Sequence, residues 1–593
     1  MSAVITETSI AMNEANTYQY QPLRQPDAIR LIDLQPSPDL EAKVRCGIIH
    51  TTLRECDYDM MDHYTALSYV WGDPKETTRV EVDGCDFDVT VNLDSALRHM
   101  RDSTRSRRVW ADAICINQMD NKEKGHQVAQ MADVYKTAHH TVIYLGESTH
   151  DLDQWLRMLT HGDSTLKQKV REGSQALDEL PEFELLAEYT SALVKRPWFT
   201  RVWILQELVF SKDPWIQIGQ GRVRWDDILQ HLKSVAHRDS LSLLVKMHAS
   251  RKEYQAKVLG LQNSRFASRL LETLVERRGL GASDPRDMIF AHLALCADGE
   301  VEIPKALSAD YTKTTKQVYE EAAAFIFQQT KNFDILAHAE ETNLRSQKAN
   351  LASWCPDWTA KSVARRIIQE DPPEYGPRLD LPVWYIAPSI IASCGSMTRP
   401  IRSITGVIES FPDGIRINGK VVNQGDRKGW FLERLRDDWH VFLDANISQH
   451  SYEAAEHISF SPLRILFNLF EDIEDWIEDK STEALDGKRF AQLSEDEFLL
   501  VPRSSRPGDV VYLLGNRMDP FLLRPYEPDQ AVALVHDRIE SLREENTFPE
   551  EIELSKIRHF TVVGECSIPW REIESSPYLR RFILQPQHAV ILH

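Results

Sequence analysis

The chain has 593 residues, which suggests three or four structural units at roughly 150 residues each. Its 42% hydrophobic and 27% charged content is ordinary for a soluble globular protein and supplies ample material for a core. The net charge of −21, from 69 Lys and Arg against 90 Asp and Glu, argues against a general nucleic-acid binder and against adhesion to an anionic membrane surface.

The first thirty residues hold no basic stretch followed by an apolar core, so no signal peptide is expected; residues 1–45 read as a flexible lead-in. From 64 to 220 the text alternates in type. "YTALSYVW" reads as a strand running into Gly72-Asp73-Pro74. "VNLDSALRHMRD" has helical spacing at Leu93, Leu97 and Met100, with Asn92 as the expected N-cap. "RRVWADAICI" reads as a strand, "HQVAQMADVYKTA" as an amphipathic helix and "HTVIYLGE" as a strand ending in Gly146. A polar, helix-prone insertion covers roughly 148 to 190. A helix with Pro197 near its first turn and a strand, "PWIQIGQG", complete the series. Alternating strands and helices predict an α/β domain with a parallel sheet over 46–225.

Beyond it, 226–375 reads as a helical middle region, with "EYQAKVLGLQNSRFASRLLETLVERRGL" and "TKQVYEEAAAFIFQQT" carrying apolar faces. The stretches "LASWCPDWT" and "EDPPEYGPRLDLP" mark a boundary. Residues 376–593 read as β-rich, interrupted near 463–480 by an acidic helical insertion. No apolar run approaches a membrane span. The eight cysteines show no CxxC spacing, which points away from a disulfide framework or zinc ribbon and toward a reducing, cytoplasmic setting. No metal site is expected.

The chemistry is expected beyond the carboxyl ends of the parallel strands. At helical period Phe199, Trp203, Glu207 and Phe210 share one face, so Glu207 is a carboxylate in an aromatic stripe. It is either ion-paired with Arg201 or Arg196, or a partly desolvated acid usable in catalysis or for gripping ribose hydroxyls. Asp112, in the apolar run Val109 to Ile114, is either a strand-end hydrogen-bond acceptor or a supporting member of the same site. Trp71 and Trp203 read first as core and second as ligand platforms. GxGxxG, the P-loop pattern and GxSxG are all missing from the sequence. Asp509 in "RPGDVVYLL" reads as a turn residue before a strand.

"YTALSYVWGDP" (64–74), "RVWADAICINQMDNKEKGHQVAQMADVYKTAHHTVIYLGE" (108–147) and "RPWFTRVWILQELVF" (196–210) resemble the three blocks of the fungal heterokaryon-incompatibility (HET) domain. Ala111 replaces the usual Ile before Asp112, and Lys124 stands near where an Arg is common. The later stretches "DPRDMIF", "LASWCPDWT", "RPGDVVYLLGNRMDPFLLRP" and "FTVVGEC" resemble the regions that follow the domain in the long, HET-6-like type of fungal protein. HET domains are in turn similar to TIR domains. That implies a flavodoxin-like fold and, in enzymatic members, cleavage of NAD+ by a glutamate in a Trp-x-x-x-Glu-Leu helix. Here the pattern falls on Trp203, Glu207 and Leu208. The resemblance makes Glu207 the catalytic candidate, Asp112 a supporting one, and Ser68, Trp71, Gly72, Asp73 and Trp203 candidates for a nucleotide pocket. NAD would be a substrate, with no resident cofactor. The family implies non-self recognition and programmed cell death, through self-association or another incompatibility protein, with no nucleic acid bound.

Overall fold

The computed structural model describes residues 18–59, 61–150, 152–153, 156, 192–228, 238–257, 266–297, 303–330, 333–339, 350–360, 384–387, 389–404, 407, 416–417, 420–421, 488–494, 497–514, 520–527, 531–545, 557–566 and 588–593. Two compact units divide the chain, one spanning 1–266 and 280–314, the other 267–279 and 315–593.

In the first unit the elements run β1 (Ala28–Leu34), β2 (Arg45–Thr52), α1 (Leu53–Tyr58), β3 (Tyr64–Ser68), β4 (Thr77–Val82), β5 (Cys85–Thr90), α2 (Val91–Met100), β6 (Arg107–Trp110), α3 (Asp112–Cys115), α4 (Asn121–Thr137), β7 (His140–Tyr144), α5 (Ile204–Phe210), β8 (Pro214–Ile218) and β9 (Gly221–Arg224). The strands form one sheet in the order β5-β4-β2-β1-β6-β3-β7-β8-β9. Its centre is parallel: β3 pairs in parallel with β6 and β7, and β7 with β8. Taken in chain order, these four lie second, first, third, fourth. Strand β1 runs antiparallel to both β2 and β6, and the β4–β5 and β8–β9 pairs are antiparallel, so the whole sheet is mixed.

Local chemistry accounts for the elements. Strand β7 is buried from Thr141 to Tyr144 and β8 from Ile216 to Ile218, as parallel strands covered on both faces require. Helix α2 buries Leu93, Ala96, Leu97 and Met100 at helical spacing. Asp120 caps α4, its side chain accepting from the N–H groups of Lys122 (2.9 Å) and Glu123 (3.2 Å). Asp83 and Gly84 turn β4 into β5 with φ of 49° and 77°, the left-handed pair of a two-residue hairpin.

Several boundaries differ from the sequence pattern. Residues 28–34, within the expected lead-in, are β1, and β1 buries Arg30 completely. That cation is tolerated because Glu123 pairs with it at 2.6 Å, the Cys115 carbonyl accepts from it at 3.1 Å and the Tyr20 ring lies 4.8 Å away. The run through "ADAICI" is not strand: after Trp110 the chain turns into α3. The N-cap of α2 is Thr90, while Asn92 donates its side-chain amide to the Val70 carbonyl at 3.1 Å. Phe199 does not share a helix with Glu207, whereas Trp203 is the N-cap of α5, its carbonyl accepting from the Glu207 N–H at 3.2 Å. Pro197–Thr200 is a separate 3-10 turn, Arg201 is extended, and Thr200 and Val202 bond to the backbone of Gly281 (2.7 and 3.0 Å). The 148–190 insertion lies almost wholly outside the described residues.

Helices α6 (Arg238–Lys257), α7 (Phe266–Glu276) and α8 (Asp287–Cys296) follow, α6 and α8 in the first unit and nearly all of α7 in the second. The second unit also holds α9 (Thr315–Thr330), β10 (Trp384–Ala387), β11 (Ile390–Pro400), β12 (Ser403–Ile404), β13 (Arg416–Ile417), β14 (Lys420–Val421), β15 (Lys488–Ser494), β16 (Glu497–Pro502), β17 (Val510–Leu514), β18 (Pro520–Pro525), α10 (Ala531–Glu544), β19 (Arg558–Glu565) and β20 (His588–Leu592). One sheet runs β10-β11-β17-β18-β19-β20, and β11 also pairs with β20. Strands β11, β17, β18, β19 and β20 therefore close into a ring of paired strands. Val511, Leu522 and Val563 pack with residues of the β12-β15-β16 sheet, while Tyr512 and Phe560 meet ring to ring at 5.0 Å. Trp384, Ile386 and Ile591 pack with Val535, Ile539 and Leu542 of α10.

"LASWCPDWT" is no open linker: Trp354 and Trp358 are fully buried. Asp509 is more than a turn residue, since it is buried and its carboxylate pairs with Arg524 at 2.8 Å. The acidic segment 463–480 and "EDPPEYGPRLDLP" lie outside the described residues. No described helix is long and apolar enough to cross a membrane.

Candidate functional site

Strand β3 ends at Ser68, and α5 brings Glu207 against it. The Ser68 hydroxyl donates to the Glu207 carboxylate and accepts from the Trp198 indole N–H at 2.7 Å. Arg201 approaches the same Glu207 oxygen at 3.4 Å. Glu207 is 2% exposed and every residue of α5 is buried. Burial raises the Glu207 pKa, opposed by the Arg201 charge and the Ser68 hydrogen bond. The reciprocal attraction raises Arg201 against its own desolvation.

In front of this buried cluster lies a cleft of about 590 Å³. Three carboxylates line it, Asp112, Asp284 and Asp287, and the first and last are each held by an indole. Trp71 Nε1 donates to Asp112 Oδ2 at 2.8 Å, and the Ala113 N–H donates to Asp112 Oδ1 at 2.8 Å. Trp203 Nε1 donates to Asp287 Oδ2 at 3.1 Å, and the Tyr311 hydroxyl donates to Asp287 Oδ1 at 2.6 Å. Desolvation raises both acids, Asp112 against the pull of Arg201, and Asp287 to about 6. Lys124 and Arg201 also line the cleft.

The sequence candidates thus fall into two groups. Trp71, Gly72, Asp112 and Trp203 line the cleft, whereas Ser68 and Glu207 are not among its lining residues. Arg201 belongs to both, touching Glu207 behind and the cleft in front. Asp73 joins neither: it accepts from the Lys75 N–H at 2.9 Å in an exposed turn. Gly72 adopts φ +83°, and a Cβ there would stand 2.7 Å from the Asn92 side-chain nitrogen. Asp287 and Tyr311 were missed. "DPRDMIF" was visible as a motif, but the partners that give Asp287 its setting lie 84 residues before it and 24 after it. Cys115 is a buried thiol pushed up to about 12 by desolvation, which leaves it no thiolate chemistry at neutral pH.

Chemically, the cleft offers three carboxylates, two lining cations and three aromatic rings. The inner cluster offers a carboxylate whose contacts are already made within the fold.

A family model described as "Heterokaryon incompatibility protein (HET)" matches residues 64–207. The chain is similar to "Heterokaryon incompatibility protein 6, OR allele" of Neurospora crassa, 27% identical over 432 residues, which cover 60% of this chain and 59% of that protein. The chain thus spans less than two thirds of that relative's length. No solved structure matches.

Proposed function

We propose, from the premise that residues 64–207 carry a HET domain in a HET-6-like chain, that this protein acts in heterokaryon incompatibility. It works in the cytoplasm as a signalling module of non-self recognition. It self-associates or recruits another incompatibility protein, and programmed cell death is the output. The observation that carries this reading against catalysis is the engagement of Glu207. Its carboxylate bonds to Ser68 and Arg201 and does not line the cleft, so it serves the fold. The β-rich region beyond residue 380 senses the partner or restrains the module. Removing it is expected to change toxicity or partner binding, and no change in either sinks that role.

The test is Glu207→Gln in a strain that mounts the incompatibility response. On this reading response and thermal stability fall together. A variant with native stability and no response would overturn it in favour of chemistry at Glu207.

The second reading is a TIR-like NAD+ glycohydrolase. Two observations favour it: the second-first-third-fourth order of the parallel strands, which is the flavodoxin-like order, and a cleft lined by residues that follow β3 and β6. Departure of nicotinamide leaves an oxocarbenium-like ribosyl cation, which a nearby carboxylate stabilises. Glu207 would have to exchange its Ser68 and Arg201 contacts for ribose, with Asp112 holding the loop or a hydroxyl. Nicotinamide release from NAD+ by wild type and not by Glu207→Gln would establish it.

A further inference from the structure

We propose that the cleft binds a small organic cation, a flat ring bearing an amine or amidine. Its N–H groups would rest on Asp112 and Asp287, and its face on the Trp71 and Trp203 indoles. This goes beyond the incompatibility reading and stands whether the module works by assembly or by catalysis.

Hydrogen-bond capacity comes first. An ionised carboxylate offers about four acceptor sites. Asp112 receives Trp71 and the Ala113 N–H, and Asp287 receives Trp203 and Tyr311, so each retains acceptor capacity. Both indole N–H groups are consumed by these acids. What the tryptophans offer a ligand is therefore ring face.

Carboxylates beside aromatic faces attract a cation twice, through charge and through the ring quadrupole. The chain's own cations already obey this rule in the cleft. Lys124 Nζ sits 4.2 Å from the Tyr311 ring centroid; Arg286, which does not line the cleft, lies 5.1 Å from the same ring. Arg286 is paired with Asp284 at 2.6 Å and Arg201 with Glu207 at 3.4 Å. An anion entering the cleft would meet three carboxylates, Asp112, Asp284 and Asp287, against Lys124 and an Arg201 already paired with Glu207. A volume of about 590 Å³ accommodates a ring of this kind.

The groups facing Asp287 are Tyr311 and Trp203 by hydrogen bond, and Asp284, Lys124 and Arg286 by charge. Desolvation holds Asp287 at about 6, so it is a carboxylate at neutral pH and loses its negative charge in mild acid. Cation binding should fall with it.

Benzamidine, benzamide and benzoate share one shape and differ in charge. Calorimetric titration of the full chain at about pH 7.5 should show benzamidine binding, with benzamide and benzoate at least about tenfold weaker. Asp112→Asn and Asp287→Asn, each checked for folding by thermal unfolding, should weaken benzamidine about tenfold. Wild-type binding should weaken several-fold toward about pH 5, an arm that needs no variant. Benzoate binding as well as benzamidine overturns the proposal. So do benzamidine binding that both substitutions and the acid shift leave unchanged, and no binding at millimolar probe.

Discussion

The Trp198 indole N–H donates to the Ser68 hydroxyl at 2.7 Å across 130 residues of sequence, and so orients that hydroxyl toward Glu207. Ser68 ends β3 and Trp198 lies in the 3-10 turn before α5, so one buried hydroxyl fixes the helix to the sheet.

Trp198→Phe keeps most of the ring and removes the donor. Stability to denaturant should drop by about 1–3 kcal/mol, since a buried hydroxyl loses a partner. Trp198→Ala should cost about 3–5 kcal/mol through the cavity it leaves. A Trp198→Phe variant as stable as wild type would mean that the hydrogen bond contributes nothing.

Asp287 gives the first unit a pH dependence of predictable sign. Its folded pKa of about 6 lies above the ordinary 3.8, so the unfolded chain releases this proton first as pH rises. Its contribution favours folding at about pH 4 and is lost toward about pH 6, by up to roughly 3 kcal/mol. Asp287→Asn should flatten the stability profile over that window. An unchanged slope in chemical denaturation at several pH values would refute the assignment.

Gly72→Ala should destabilise by about 1–2 kcal/mol from the left-handed backbone alone. The new Cβ also meets the Asn92 amide at 2.7 Å, and that amide holds the Val70 carbonyl. Slower quenching of Trp71 fluorescence by a small solute, with no loss of stability, would contradict this.

Ser353 serves the second unit as Ser68 serves the first. Its hydroxyl accepts from the Val562 N–H at 2.9 Å and donates to the His593 carbonyl. Ser353→Ala should cost about 1–3 kcal/mol and speed amide exchange at Val562. Full protection of that amide in the variant would remove Ser353 from the ring's support.

The strands legible in sequence include β3, β6, β7 and β8, whose apolar runs match parallel burial, and β16 to β19 in the β-rich region. Strand β1 was not, because Arg30 breaks its pattern and is neutralised only by Glu123, 93 residues on. The β4–β5 hairpin carried its signal in Asp83-Gly84, a turn pair between alternating strands. Of the cleft, Trp71, Asp112 and Trp203 could be named from their blocks. No local pattern reveals that Trp203, at the N-cap of the Glu207 helix, gives its indole N–H to Asp287, 84 residues on. An isolated segment cannot report a bond to a loop it has not yet met.

The closed ring also sets a timetable for synthesis. Strand β11 is made some 190 residues before β20, the neighbour that seals it. A ribosome adding about 5–20 residues per second leaves that edge waiting roughly 10 to 40 seconds. Throughout the interval a row of backbone donors and acceptors faces solvent as an open template for foreign strands. The second unit therefore keeps such an edge unpaired for longer than the first, whose strands pair across shorter gaps.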